Sequence, residues 1–151
     1  ALSCCSSDSH DSTAPLPASQ WKATITGTWT SSVSSTGHVS IAGENLDFSK
    51  STTITLTLTS DGTGNYSSKS NYIYSNGVET DTETSCTFTW ELAPPDGNQP
   101  TPASLTLTVT SAPEGYFSIG QKLHADIEEL KPNELTLSAS NFTGAPYFKR
   151  K

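Results

Sequence analysis

Histidine, cysteine and tyrosine are the residues of this chain with reactive or ligand-stacking potential, and their neighbours decide what each can do. His10 falls in the N-terminal linker and His38 in a stretch that reads as a polar turn, whereas His124 lies within "QKLHADIEEL". If that run is a strand, His124, Asp126 and Glu128 share one face and Leu123, Ala125 and Ile127 the other, because side chains alternate along a strand. An imidazole beside carboxylates has the chemistry to hold a metal or move a proton. The solvated outer face of an antiparallel strand gives the same alternation with no chemistry attached. The sequence offers no His-x-x-x-His, no cysteine pair at zinc spacing and no Gly-rich phosphate loop, the patterns that metal and nucleotide sites require. "DGTGN" at 61–65 lacks the alternating acids and the closing Glu of a calcium loop. Serine is too abundant for any one to stand out as a nucleophile. The expectation is a protein that is not an enzyme, with no catalytic residue, no metal and no cofactor.

Cys86, in "SCTFTWEL", has the parity of Phe88, Trp90 and Leu92, which reads as a small buried hydrophobe. Cys4 and Cys5 stand side by side in "ALSCC", and a total of three cysteines does not complete a disulfide framework. Tyr66, Tyr72 and Tyr74 share one parity along a single run. Such a row either stacks sugar rings, as in a carbohydrate-binding module, or packs across strands.

These residues need a β framework to hold them. A length of 151 residues suits one domain with its own core. Ser and Thr fill roughly a third of the chain, and β-branched Thr favours a pleated surface. The net charge of -7, with only eight basic residues, argues against nucleic acid as a partner. Lys149, Arg150 and Lys151 read as a solvated tail. "STTITLTLTS" places Ile54, Leu56 and Leu58 at every second position, and "SLTLTVTS" does the same with Leu105, Leu107 and Val109. "CTFTWEL", "QKLHADIEEL" and "NELTLSAS" continue the pattern, the last with Leu135, Leu137 and Ala139. This is the period of strands with one wet face, and no segment sustains a helical period.

Turn residues separate the runs. "SDGTGN" at 60–65, Asn76-Gly77 in "SNGVET" and "KPNE" at 131–134 suit hairpins, while the prolines of the 93–103 loop keep it out of a sheet. Short hairpins between consecutive strands produce a meander that closes to remove its edges. Only residues 34–49 offer the length for a longer crossing. The expected fold is therefore all-β, an antiparallel up-and-down β-barrel of about eight strands over 21–151. A flexible linker precedes it, whose Ser, Asp and Pro cannot bury a core.

"ITGTWTSS", "ITLTLTSDGTGNYSS", "TFTWEL" with "LTLTVTS", "IEELKPNELTLSAS" and the terminal "YFKRK", in that order, resemble the lipocalin-like domains of Bacteroidetes lipoproteins. The resemblance runs from Trp21 to Lys151. It implies that Trp29 packs across the closed end of the barrel, that Trp90 lines the interior, and that a small apolar molecule is the ligand. Trp29, Leu56, Leu58, Phe88, Trp90, Leu105 and Leu107 are expected to point inward, as core residues first and ligand contacts by extension. "ITGTWTSS" also resembles the first strand of avidin-like biotin binders, whose later tryptophan-rich motifs are not recognisable here.

The start of the chain resembles the end of a bacterial lipoprotein signal peptide, with Ser3 before Cys4. Residues 1–20 then form a lipoprotein-type N-terminus and tether, with Cys4 the expected lipidation site and Cys5 the alternative. Asp8 and Asp11 resemble the acidic surface-export signal of Bacteroidetes lipoproteins. Acyl chains contribute about 0.8 kcal/mol per buried CH₂, so several suffice to hold a protein on a membrane. The implied setting is the cell envelope, as an outer-membrane lipoprotein, or the extracellular space. A glycan or an envelope-protein complex is the alternative partner.

Overall fold

A computed structural model describes residues 17–93, 103–113 and 116–151. Cys4 and Cys5, and all but the ends of the proline-rich loop, fall outside the described residues. A short helix, α1 (Ala18–Ile25), precedes eight strands: β1 (Gly27–Ile41), β2 (Glu44–Leu58), β3 (Thr63–Tyr74), β4 (Glu79–Ala93), β5 (Ala103–Ser111), β6 (Lys122–Leu130), β7 (Glu134–Ser140) and β8 (Tyr147–Arg150). Each strand pairs with the next in sequence order, and β8 returns to β1, closing an antiparallel up-and-down barrel.

Turn chemistry sets this order. Gly62 and Gly77 take φ of 90° and 89° in the β2–β3 and β3–β4 turns expected from their sequences. Residues 34–49 form no crossing. They belong to the two arms of the β1–β2 hairpin, turned by Ala42 and Gly43 at φ of 52° and 81° between the paired Ile41 and Glu44. Two consecutive positive φ values match the right-handed twist of the flanking strands.

Alternation along the strands fills the barrel. Leu56, Leu58, Phe88, Leu105, Leu107, Val109, Leu123 and Leu135 are almost wholly buried, while the residues between them face outward. "HADIEEL" is a strand, as its alternation indicates. Ala139 has the parity of Leu135 and Leu137 yet is exposed, because the β6–β7 register shifts on either side of Ile127 and sets Ala139 opposite Asp126.

Helix α1 lies at one end of the barrel, and nothing in the sequence pattern announces it. Its eight residues carry large apolar side chains only at Trp21 and Ile25, too few to display a period, and residues 18–20 belong to it rather than to a linker. Trp21 and Ile25 join the core cluster. The Trp29 indole N–H donates to the Ile25 carbonyl at 2.8 Å, and the Trp90 indole N–H donates to the Thr59 carbonyl at 2.9 Å. Arg150 is no solvated tail residue. Its guanidinium lies 4.3 Å from the centroid of the Trp29 ring and donates to the carbonyls of Thr24, Thr26 and Pro132. Gly27 takes a φ of 137°, and a Cβ there would meet the guanidinium.

The other end is uneven. Strands β1, β2 and β4 run 15 residues each and β3 runs 12, against nine for β5 and β6, seven for β7 and four for β8. Pairing of β1 with β8 covers only Trp29–Arg150 and Thr30–Lys149, and β4 meets β5 only from Thr87 onward. The far halves of β1–β4 therefore project past the barrel as a four-stranded sheet.

Candidate functional site

The barrel opens beneath that projecting sheet, where the β5–β6 and β7–β8 connections approach its rim. Tyr66 on β3 is buried at the mouth and pairs across the strands with Cys86. Phe142 and Phe117, one from each connection, meet the Tyr66 ring edge-on, with centroids 5.6 Å and 6.0 Å away. Edge-to-face packing of this kind lets the ring quadrupoles attract. The Tyr66 hydroxyl donates to the Phe142 carbonyl at 3.3 Å, and burial raises its pKa.

The β7–β8 connection is fixed by its own polar groups. Ser140 Oγ accepts the backbone N–H groups of Phe142 and Thr143 at 3.2 Å and 3.0 Å and donates to the Thr143 carbonyl at 3.1 Å. Asn141 Oδ1 accepts the N–H of His124 at 2.8 Å, joining the loop to β6. Between these elements lies an open groove of about 480 Å³, lined by the rings of Tyr66, Phe117 and Phe142 together with the polar Thr84, Gln121 and Asn141. Its size falls within the range of about 300–1,000 Å³ usual for small-molecule sites. Three aromatic rings beside polar side chains can stack against a ring while hydrogen-bonding one end.

The inward residues expected from the sequence lie deeper. Trp29, Leu56, Leu58, Phe88, Trp90, Leu105 and Leu107 are between 0% and 5% exposed and pack in one cluster. None of them lines the mouth groove. Close packing makes them the support of the site. Phe117, next to Tyr116, and Phe142 give no signal in the sequence, because each lies in a Gly-containing loop with no alternation to assign it a face.

Cys86 is buried beside this aromatic group, and burial pushes its thiol pKa up to about 11. The tyrosine row divides. Tyr72 and Tyr74 leave Tyr66 behind and join Phe48 on the projecting sheet, with centroid distances of 5.8, 6.1 and 6.3 Å within the trio. Lys50 Nζ stands 5.3 Å from the Tyr72 ring centroid.

His124 and Asp126 do share a face and join through Nε2 and Oδ1 at 2.8 Å, in a partly exposed pair. His38 is on strand β1 and not in a turn, since the hairpin carries its reversal further on at Ala42 and Gly43, and it pairs with Asp47 across the β1–β2 hairpin at the surface. Among the described residues no three His, Cys, Asp or Glu side chains converge as a metal-binding group. No helix among the described residues is long and apolar enough to cross a membrane. No family model, curated protein or solved structure matches the chain.

Proposed function

We propose that this is a non-catalytic, lipocalin-like cell-envelope protein that binds a small, largely apolar molecule at the barrel mouth. The groove lined by Tyr66, Phe117 and Phe142 carries this reading, because it is open, gathers three aromatic rings and is held by a packed core. Trp29 at the α1 end supports the lipocalin resemblance, which implies a tryptophan there. Cys4, or Cys5 beside it, is the lipid anchor in this reading, and the residues that follow it tether the barrel to the outer membrane.

Native mass spectrometry of the protein from its own host tests both parts. A small molecule released on unfolding, and diminished in a Phe142→Ala variant, is the expected result for the mouth. A covalent diacyl or triacyl mass at the N-terminus is the expected result for the anchor. Equal folded and denatured masses would remove the carrier function, and an unmodified N-terminus would remove the anchor.

A second reading rests on the trio of Phe48, Tyr72 and Tyr74. Tyr72 and Tyr74 lie nearly parallel, at 11°, on a sheet outside the barrel, a surface able to stack sugar rings. Binding to immobilised glycans that is lost in Tyr72→Ala and kept in Phe142→Ala would favour it over the mouth.

A further inference from the structure

Among the described residues, the β1 segment from Ser31 to Ile41 is a sheet edge left open. Lys151 donates its N–H to the Thr28 carbonyl at 2.9 Å. Even-numbered residues of β1 therefore turn their N–H and C=O toward the β8 side, and odd-numbered residues turn theirs toward β2. Beyond Thr30, β8 no longer pairs with β1, so the groups of residues 32, 34, 36, 38 and 40 meet no strand among the described residues. Such an edge is a template for another strand unless something guards it.

The two free edges of the projecting sheet differ in their guards. On β4, Glu79, Asp81 and Glu83 line the margin that β5 leaves unpaired. On β1 the run "SSVSSTGHVSI" has no Asp, Glu, Lys, Arg or Pro. It exposes Val33 and Ile41 at 40% and 46%. Two β4 edges would bring carboxylates together, whereas two β1 edges bring none.

We infer that β1 pairs with β1 of a second copy, antiparallel about a two-fold axis at Gly37. In that register Val33 faces Ile41 of the second copy, Ser34 faces Ser40, and Thr36 faces His38. Every hydrogen-bonding position is even-numbered on both strands, as an antiparallel ladder requires, and the two exposed apolar residues cover each other. An isologous contact uses the same edge twice and closes, so it forms a dimer rather than a fibre. The antiparallel arrangement sends the two barrels to opposite ends of the joined sheet. The hairpin tip at Ala42 and Gly43 then reaches the cleft of about 360 Å³ where the chain entering β8 diverges from β1, bounded by Ser31, Val33, Pro146 and Tyr147.

Sedimentation velocity of the full chain with Cys4→Ser and Cys5→Ser, across a wide concentration range, reads the assembly directly. A reversible dimer is expected. Ser34→Pro removes an N–H that faces the open edge and spares the β1–β2 ladder, so it should weaken the dimer at least about tenfold with circular dichroism unchanged. Val33→Lys should weaken it by a comparable factor while keeping the backbone intact. Under mild oxidation, Val33→Cys combined with Ile41→Cys should cross-link two chains, and either substitution alone should not, because Val33 and Ile41 are far apart on one strand. A monomer at all concentrations would overturn the proposal, as would a dimer indifferent to both edge variants. Protection of the edge amides in a monomer would also overturn it, by showing that another part of the same chain covers the edge.

Discussion

Trp29 is held by contacts of three kinds. Its ring is fully buried, its N–H reaches the Ile25 carbonyl, and Arg150 lies over its face. Truncating a large buried aromatic residue costs about 3–5 kcal/mol, and Trp29→Ala should fall in that range by urea unfolding. A loss well under about 1 kcal/mol would remove its role in closing the barrel. Arg150→Ala should cost about 2–3 kcal/mol, since the half-buried guanidinium serves three carbonyls and the indole face. Arg150→Lys should recover little of it, because an ammonium cannot reproduce the planar fork. Cys86 gives a prediction in pH. The unfolded chain releases the thiol proton at the ordinary 9.0, and the folded chain retains it to about 11. Its contribution is therefore whole below pH 9 and is lost as pH rises toward 11. Tyr66, whose pKa is also raised by burial, acts in the same direction above its ordinary 10.0. Thermal unfolding should show stability falling through this alkaline window, and Cys86→Ala should shallow the fall. At neutral pH the folded thiol should resist iodoacetamide and react once the chain is unfolded. With Cys4 and Cys5 replaced by Ser, rapid labelling of the folded protein would contradict the burial argument.

At the level of elements, what the sequence discloses depends on whether a strand has a wet face and a dry one. β5 is legible because Leu105, Leu107 and Val109 alternate with Ser and Thr over its core-facing length. The same holds for the second half of β2, with Ile54, Leu56 and Leu58. The first half of β2 and the far half of β1 lie outside the barrel, where apolar residues alternate only over short stretches near the tip, Val39 with Ile41 and Leu46 with Phe48. Small polar residues dominate the far half of β1, charged residues break up the first half of β2 around Leu46 and Phe48, and Gly43 alone marks the turn between them, without the Asn or Asp that makes such a turn stand out. Helix α1 is hidden for a different reason. Two anchoring side chains four residues apart are enough to seat it against the core, but not enough to set a period. The mouth is the least legible part, since its groove depends on two loops brought together by barrel closure. Tyr66 alone could be read as a member of a row, and its ring partners Phe117 and Phe142 lie 51 and 76 positions further along the chain.

The whole molecule joins two regions held by different means. The barrel is stabilised by one continuous cluster from Trp21 to Phe148. The projecting sheet lacks such a cluster in its middle, where Thr52, Ser70 and Thr82 stand in one cross-strand row and Thr52 shares a hydroxyl hydrogen bond with Ser70 at 2.9 Å. Its apolar contacts are gathered toward the tip, in Leu46, Phe48, Tyr72 and Tyr74. Segments with few buried apolar contacts open locally at a fraction of the global unfolding free energy. Amide hydrogen exchange should therefore separate them. Odd-numbered amides of β1 from Ser35 to Val39 bond to β2 and should exchange through local opening, with rates nearly independent of dilute denaturant. Amides of β5 and of the barrel half of β2 should exchange only on global unfolding and respond steeply to denaturant. A gap of about 3 kcal/mol between the two groups corresponds to more than about a hundredfold in rate. The even-numbered amides of β1 from Ser32 to Ser40 form a third group. They should exchange freely in dilute solution and slow as concentration rises, because pairing of a second β1 strand covers them and no other group. Uniform protection across barrel and sheet would show instead that the molecule opens as one unit.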